Sequence, residues 1–371
     1  MKLKKILAVT LAAAMTAGAM TACGSSGKTE EATAAPAAAE TKAEEAQTEE
    51  TQAEETAAPQ KNADTITLKL ANNQPDTNAT SKAVEWFADE VNKRTEGRIF
   101  IEVHHNGELG DAVSCLEQAQ YGGMDIIKAD LSTMTNFVGE YNALMMPYIY
   151  KDLDHFWAAH GGEVGMSILR GEQMKEKGLY GLTYYDAGTR CFYNTKKEIH
   201  SPEDMKGMLV RVQESELMMS MVEALGADSV ATAYSEVYSA LQTGVCDAAE
   251  NSIVNYLDTT HYEVAPYFVK DHHTRSADIL VMSEKTREKI SEEDLKIIDD
   301  TALESWELQK DLWAEAEKVN EEKLIESGKV TITELTEDEL AKFREACEPI
   351  WYSYEDGKYT DLINRIVEAG N

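Results

Sequence analysis

From residue 65 onward the apolar and polar positions follow two rhythms in turn, and that succession outlines a fold. Apolar-rich extended stretches predict strands over 66–70, 98–104 and 124–129. Between them Val84, Phe87, Ala88 and Val91 recur at helical spacing until Gly97. Val113, Leu116 and Ala119 mark a second helix opening at Asp111. The order strand–helix–strand–helix–strand is that of a parallel sheet with helices on both faces. A second set follows. Short strands are predicted over 179–185, 190–194 and 209–212, and a helix start at Ser201-Pro202-Glu203-Asp204, with a cap, an N1 proline and first-turn acids. Leu217, Met218, Met221, Val222 and Leu225 stripe a helix stopped by Gly226. Val237, Ala240 and Leu241 stripe another stopped by Gly244, before a buried strand over 245–249. One uninterrupted amphipathic helix is predicted over 292–327, and a helical tail over 336–369. The expected architecture is α/β, with two lobes joined by crossing segments and a long helix. The expected site is a cleft between the lobes, at the carboxyl ends of strands.

Length agrees: 371 residues, at roughly 150 per domain, suggest two lobes. Charge narrows the function. A formal net charge of −32 excludes a general nucleic-acid binder and electrostatic adhesion to anionic lipid, since both need a positive face. Five cysteines in such a length cannot make a disulfide-dense scaffold. Cys115, on an apolar helix stripe, and Cys246, within an apolar stretch, read as buried small hydrophobes. Cys191 and Cys347 lie far from them, and in an exported chain a bridge stays open.

Residues 1–23 read as an export signal. Lys2, Lys4 and Lys5 precede an apolar stretch over 6–19 that is shorter than the ~20 residues of a membrane-spanning helix. Met20-Thr21-Ala22-Cys23 resembles the bacterial lipoprotein box, with Met20 where Leu is usual, which makes Cys23 the lipidation candidate. Residues 24–64 are an Ala/Glu-rich linker without aromatic or branched-aliphatic side chains, unable to bury enough surface to offset chain entropy. As a flexible coil it would reach roughly 35 Å. The expectation is an exported protein, periplasmic or lipid-anchored to the outer face of the cell membrane, with its globule over 65–371. That globule divides into a first lobe over about 65–185 plus part of the C-terminal region, and a second over about 186–290.

No strong catalytic constellation is present: no HExxH, GxSxG, phosphate-cradling glycine loop or CxxC. His104-His105 and His272-His273 are adjacent pairs whose members would face opposite ways on a strand, so surface or capping roles are expected. Asp247 and Glu250 imitate a carboxylate acid/base pair but have no nucleophile or second motif near them. No enzyme, cofactor or metal is expected. The informative residues are arginines. Arg211 ends the strand 209–212 and Arg190 begins 190–194. A guanidinium fork grips a carboxylate through two parallel hydrogen bonds, so each is either a ligand anchor or the partner of an acid in the same chain.

Three ordered stretches bear on that choice. They are Gly188-Thr189-Arg190-Cys191-Phe192-Tyr193, the run from Ser201 through Lys206-Gly207-Met208-Leu209-Val210-Arg211-Val212, and the run from Glu236 through Gly244-Val245-Cys246-Asp247-Ala248-Ala249-Glu250-Asn251. With the turn Asn106-Gly107-Glu108-Leu109-Gly110-Asp111, they resemble the solute receptors of TRAP (tripartite ATP-independent periplasmic) transporters over nearly all of 65–371. The resemblance implies a two-lobed fold of the periplasmic-binding-protein type, with mixed sheets flanked by helices and a long lobe-spanning helix. It implies a ligand carboxylate held by Arg211, assisted by Arg190 and Asn251, and delivery of the solute to membrane permease subunits. Cys246, Ala248 and Gln213 depart from the usual residues. The run Arg211-Val212-Gln213-Glu214-Ser215, with Tyr184-Tyr185-Asp186-Ala187-Gly188 and Asn72-Asn73-Gln74-Pro75, resembles the branch associated with hexuronates such as glucuronate and galacturonate. Asn73, Gln74, Gln213 and Glu214 suit sugar hydroxyls, and Tyr184 and Tyr185 are core or cleft wall. C4-dicarboxylates, a secreted enzyme acting on acidic sugars and an ATP-driven transporter's receptor are the alternatives. The expected partners are a small organic acid anion, a permease and a membrane reached through a lipid anchor, with the receptor a monomer that binds no nucleic acid.

Overall fold

The computed structural model describes residues 61, 62 and 64–370. The export signal, Cys23 and nearly all of the linker lie outside the described residues. Ten strands form one sheet: β1 (Ile66–Asn72), β2 (Ile99–His104), β3 (Ile126–Asp130), β4 (Leu179–Asn194), β5 (Leu209–Val212), β6 (Asp228–Ala231), β7 (Ala248–Ser252), β8 (Tyr267–Lys270), β9 (Thr274–Ser283) and β10 (Thr331–Glu334). Their order is β2-β1-β3-β9-β4-β7-β5-β6, with β8 joining β4 and β10 to one side. At one end β1 pairs parallel with β2 and β3; at the other β5 pairs parallel with β6 and β7. These parallel groups are the sheets of the two lobes. Antiparallel β4 and β9 run between them.

The crossing differs from expectation. The two short strands predicted over 179–185 and 190–194 are one 16-residue strand, buried at nearly every position. Its register with β9 shifts between Asp186 and Thr189. Gly188 makes this possible: its φ is +79°, and a Cβ there would come within 2.9 Å of both Ser252 Cβ and Trp313 Nε1. The long helix Glu292–Ser327 clamps the same point. Gln309 accepts from the Asp186 amide (2.7 Å) and donates to the Asp186 carbonyl (2.7 Å). This helix matches its predicted span. Ser291 caps its start, Glu292, Glu293 and Asp294 oppose the helix dipole in the first turn, and Gly328 ends it at φ +62°. Asp294 near its start meets Arg98 of the first lobe at 2.8 Å, and Asn320 near its end meets Asp258 of the second at 3.3 Å. The helix therefore spans both lobes.

Other boundaries move. The strand expected over 245–249 starts at Ala248. Val245 is exposed and Cys246 is buried in the turn before the strand. The helix start at Ser201 is a single 3-10 turn, Pro202–Met205, closed by the reciprocal Ser201–Asp204 capping box. Strands β6, β8, β9 and β10 are unforeseen. Cys115, Cys191, Cys246 and Cys347 are all buried free thiols.

Candidate functional site

The carboxyl ends of β1, β3, β5 and β6 converge on a cavity of about 340 Å³, within the range of small-molecule sites. Asn73, Asp111, Asp130 and Thr133 line it from the first lobe; Arg211, Gln213, Glu214 and Tyr234 line it from the second. Hydrogen bonds cross the gap. Gln213 accepts from Ser132 Oγ at 3.0 Å and donates to Asp130 at 3.2 Å, and the Tyr234 hydroxyl donates to Gln74 Oε1 at 3.2 Å. A larger hollow of about 690 Å³ lies beside Tyr148, Arg275 and Arg344. Its arginines are already matched, Arg275 to Asp186 at 2.5 Å and Arg344 to Glu337 at 3.4 Å. The smaller cavity holds the unspent chemistry.

Arg211 is that chemistry. It is 2% exposed, yet among the described residues no carboxylate lies within ion-pair distance of it. Nε donates to the Thr232 carbonyl at 2.9 Å, Nη2 donates to the same oxygen, and Nη1 has no protein acceptor among the described residues. Burial lowers its pKa, because a charge removed from water without a counterion is costly.

Arg190 is the opposite case. Its Nε donates to Glu250 Oε2 and its Nη2 to Glu250 Oε1 at 2.9 Å, in a fork-to-fork pair with 3% and 0% of the side chains exposed. Glu250 also meets His273 Nε2 at 3.4 Å, and His273 Nδ1 meets Asp271 at 2.8 Å. Burial alone would raise the Glu250 carboxyl, but Arg190 and His273 hold it down at about 2. Burial opposes a charged His273, but Asp271 and Glu250 raise it to about 9. Glu250 is thus committed to Arg190 and His273, which leaves Arg211 without a carboxylate in ion-pair contact among the described residues.

The remaining expected residues separate into two groups. Asn73 lines the cavity with a buried Oδ1 that has no hydrogen-bond donor. Gln213 and Glu214 line it as well. Gln74 is buried behind it, bonded to Tyr234. Asn251 is committed elsewhere: its Oδ1 accepts from Arg190 Nη1 (3.2 Å), the Ser252 amide (2.8 Å) and Asn255 Nδ2 (3.1 Å). Tyr184 and Tyr185 take the core alternative. Both are fully buried, with hydroxyls bonded to the Gly165 carbonyl and to Ser305 at 2.8 and 2.7 Å. The surface role expected of His272-His273 fails for His273, which is completely enclosed. Asp247 and Glu250 form no pair, since Asp247 turns to Lys196 at 2.8 Å. Asp111, Asp130, Tyr234 and Glu236 line the cavity without having been singled out. Asp111 did lie in a quoted turn, and Asp130 follows directly on a predicted strand.

A family model described as bacterial extracellular solute-binding protein, family 7, matches residues 70–357. The chain belongs to that family. Solved structures of TRAP periplasmic solute-binding proteins share its fold. One from Bradyrhizobium sp. BTAi1, in complex with galacturonate, is 32% identical, covers 82% of this chain and 100% of its own, and superposes with a TM-score of 0.78. One from Chromohalobacter salexigens with bound D-glucuronate is 32% identical over 81% of this chain and 99% of its own, TM-score 0.77. One from Sulfurospirillum deleyianum with bound succinate is 28% identical over 81% and 97%, TM-score 0.77. This family 7 protein is thus a two-lobed, extracytoplasmic TRAP solute receptor for organic acid anions. Receptors of this type work with a membrane permease.

Proposed function

We propose that this receptor captures a hexuronate, D-glucuronate or D-galacturonate, with the ligand carboxylate on Arg211 and the sugar hydroxyls on Asn73, Gln213 and Glu214. The observation that carries the reading is the buried Arg211, with no carboxylate in ion-pair contact among the described residues, lining a two-sided cavity. The uncapped Asn73 Oδ1 supports it by asking for a hydroxyl hydrogen from the ligand. Arg190 and Asn251 act from behind: Arg190 neutralises Glu250 so that Glu250 does not close onto Arg211, and Asn251 holds Arg190. Because both lobes contribute contacts, only a closed cleft makes the full set, and ligand binding favours closure. The globule over 65–371 is carried on the linker 24–64 from a lipid on Cys23, and the ligand is handed over chemically unchanged. The receptor acts as a monomer.

Thermal denaturation with added acids is the test. At ~100 times Kd, linkage adds ~2.7 kcal/mol, and at ~2–4 °C per kcal/mol glucuronate or galacturonate should raise the Tm by ~5–10 °C and be recovered intact. No shift with any carboxylate contradicts the reading, a shift with succinate alone transfers it to dicarboxylates, and consumption of the sugar acid makes the protein an enzyme.

A further inference from the structure

Four carboxylates and one cation line the cavity: Asp111, Asp130, Glu214 and Glu236 around Arg211. Two of the acids are spent on the protein. Asp111 accepts from the Ser114 amide and hydroxyl, both at 2.8 Å, at a helix start. Asp130 accepts from the Thr133 amide at 2.9 Å, the Thr133 hydroxyl at 2.8 Å and Gln213. Glu236 is exposed at the rim. Glu214 is different. It is half-buried, and its carboxylate has neither a hydrogen bond nor an ion pair among the described residues. Only its backbone is fixed, with the carbonyl accepting from Asn136 across the cleft at 2.6 Å. Its carboxyl is pushed up by burial and then by Asp111 and Asp130, against a smaller opposing pull from Arg211.

We propose that Glu214 is a specificity-determining residue that rejects a second carboxylate on the bound ligand and accepts hydroxyl hydrogens from it instead. This rests on the reading above that the ligand carboxylate sits on Arg211. A cavity of 340 Å³ is no wider than about one Debye length, ~10 Å at 0.1 M salt, so dissolved ions do not screen charges across it. A dianion anchored at Arg211 must place its other charge among carboxylates that have no cation left to share. A sugar acid places hydroxyls there, and each is a donor that Glu214 can accept. Rejection by like charge is how specificity is gained when attraction alone cannot separate two ligands of similar size.

Matched pairs of acids test this by titration calorimetry on the full chain: glucuronate against glucarate, and erythronate against meso-tartrate. Within each pair the diacid carries a second terminal carboxylate, in place of the ring hemiacetal carbon of glucuronate or the hydroxymethyl end of erythronate; the second pair keeps both partners open-chain. The unaltered receptor should prefer the monoacid at least tenfold. Glu214→Gln should cut that preference about tenfold, mainly by tightening the diacid, while Glu214→Asp should keep it. An undiminished preference in Glu214→Gln, or a diacid bound as tightly as its monoacid by the unaltered receptor, overturns the proposal. Binding of erythronate without glucuronate would remove the hexuronate reading and leave Glu214 to be judged on the second pair. Binding of none of the monoacids removes both.

Discussion

Two arginines on the strands that flank β7 are both nearly sealed from solvent, and only one of them is in ion-pair contact with a carboxylate among the described residues. Arg190 and Glu250 grip each other with paired hydrogen bonds, and His273 and Asp271 extend the network behind them. Arg211 hydrogen-bonds only a carbonyl oxygen among the described residues, and it lines the cavity. Burial alone therefore does not mark Arg211 as the proposed anchor, because both residues have it. What sets Arg211 apart is burial without a carboxylate in ion-pair contact among the described residues. The acid that could have neutralised Arg211 is occupied, and the occupying residue is Arg190.

The sharpest way to break this comparison is to truncate Arg190. Arg190→Ala leaves the buried Glu250 with His273 alone and without its paired hydrogen bonds, and should cost ~3–5 kcal/mol of stability. Arg211→Ala removes a charge that has no partner, so its unliganded form should lose less than half as much in chemical denaturation. Equal losses would mean that the two environments are not different in kind.

Acid and base sharpen it next. The Glu250 carboxyl is lowered to about 2 from 4.5, so its contribution is present above pH 4.5 and lost as pH falls through 2. The His273 imidazole is raised to about 9 from 6.5, so its contribution is complete below pH 6.5 and fades as pH rises through 9. Denaturation midpoints between pH 6.5 and 9.5 should decline, and His273→Gln should flatten that decline. An unchanged slope in the variant would take His273 out of the network. The smallest effect concerns a tyrosine moved from cleft candidate to core. Tyr185→Phe gives up the hydroxyl bond to Ser305 and should cost ~1 kcal/mol of stability with ligand affinity unchanged. A loss of affinity would return Tyr185 to the site.

Much of this was legible in the sequence where local signals act alone. The 36-residue helix has its cap, first-turn acids and terminal glycine written in order, and Arg211 lies in a motif at a strand end. The sequence was least legible where partners meet through the sheet. Nothing near Arg190 announces Glu250, 60 residues on. The antiparallel register of β4 on β7 sets Phe192 opposite Glu250, which puts Glu250 diagonal to Arg190 on the same face. Asp186 and Gly188 read as a break between strands because both favour turns. The long helix overrides that preference by fixing the Asp186 backbone through Gln309. β6, a four-residue edge strand with no fully buried position, carries no alternation to detect.

The central claim is that Arg211 is the anion's anchor, and titration calorimetry of Arg211→Ala beside the unaltered receptor tests it most directly. With the acid that the receptor binds most tightly, the variant should lose ~2–5 kcal/mol, a fall of ~30–5,000-fold in affinity, while remaining folded. Affinity within a few-fold of the original would place the carboxylate somewhere else and contradict the account.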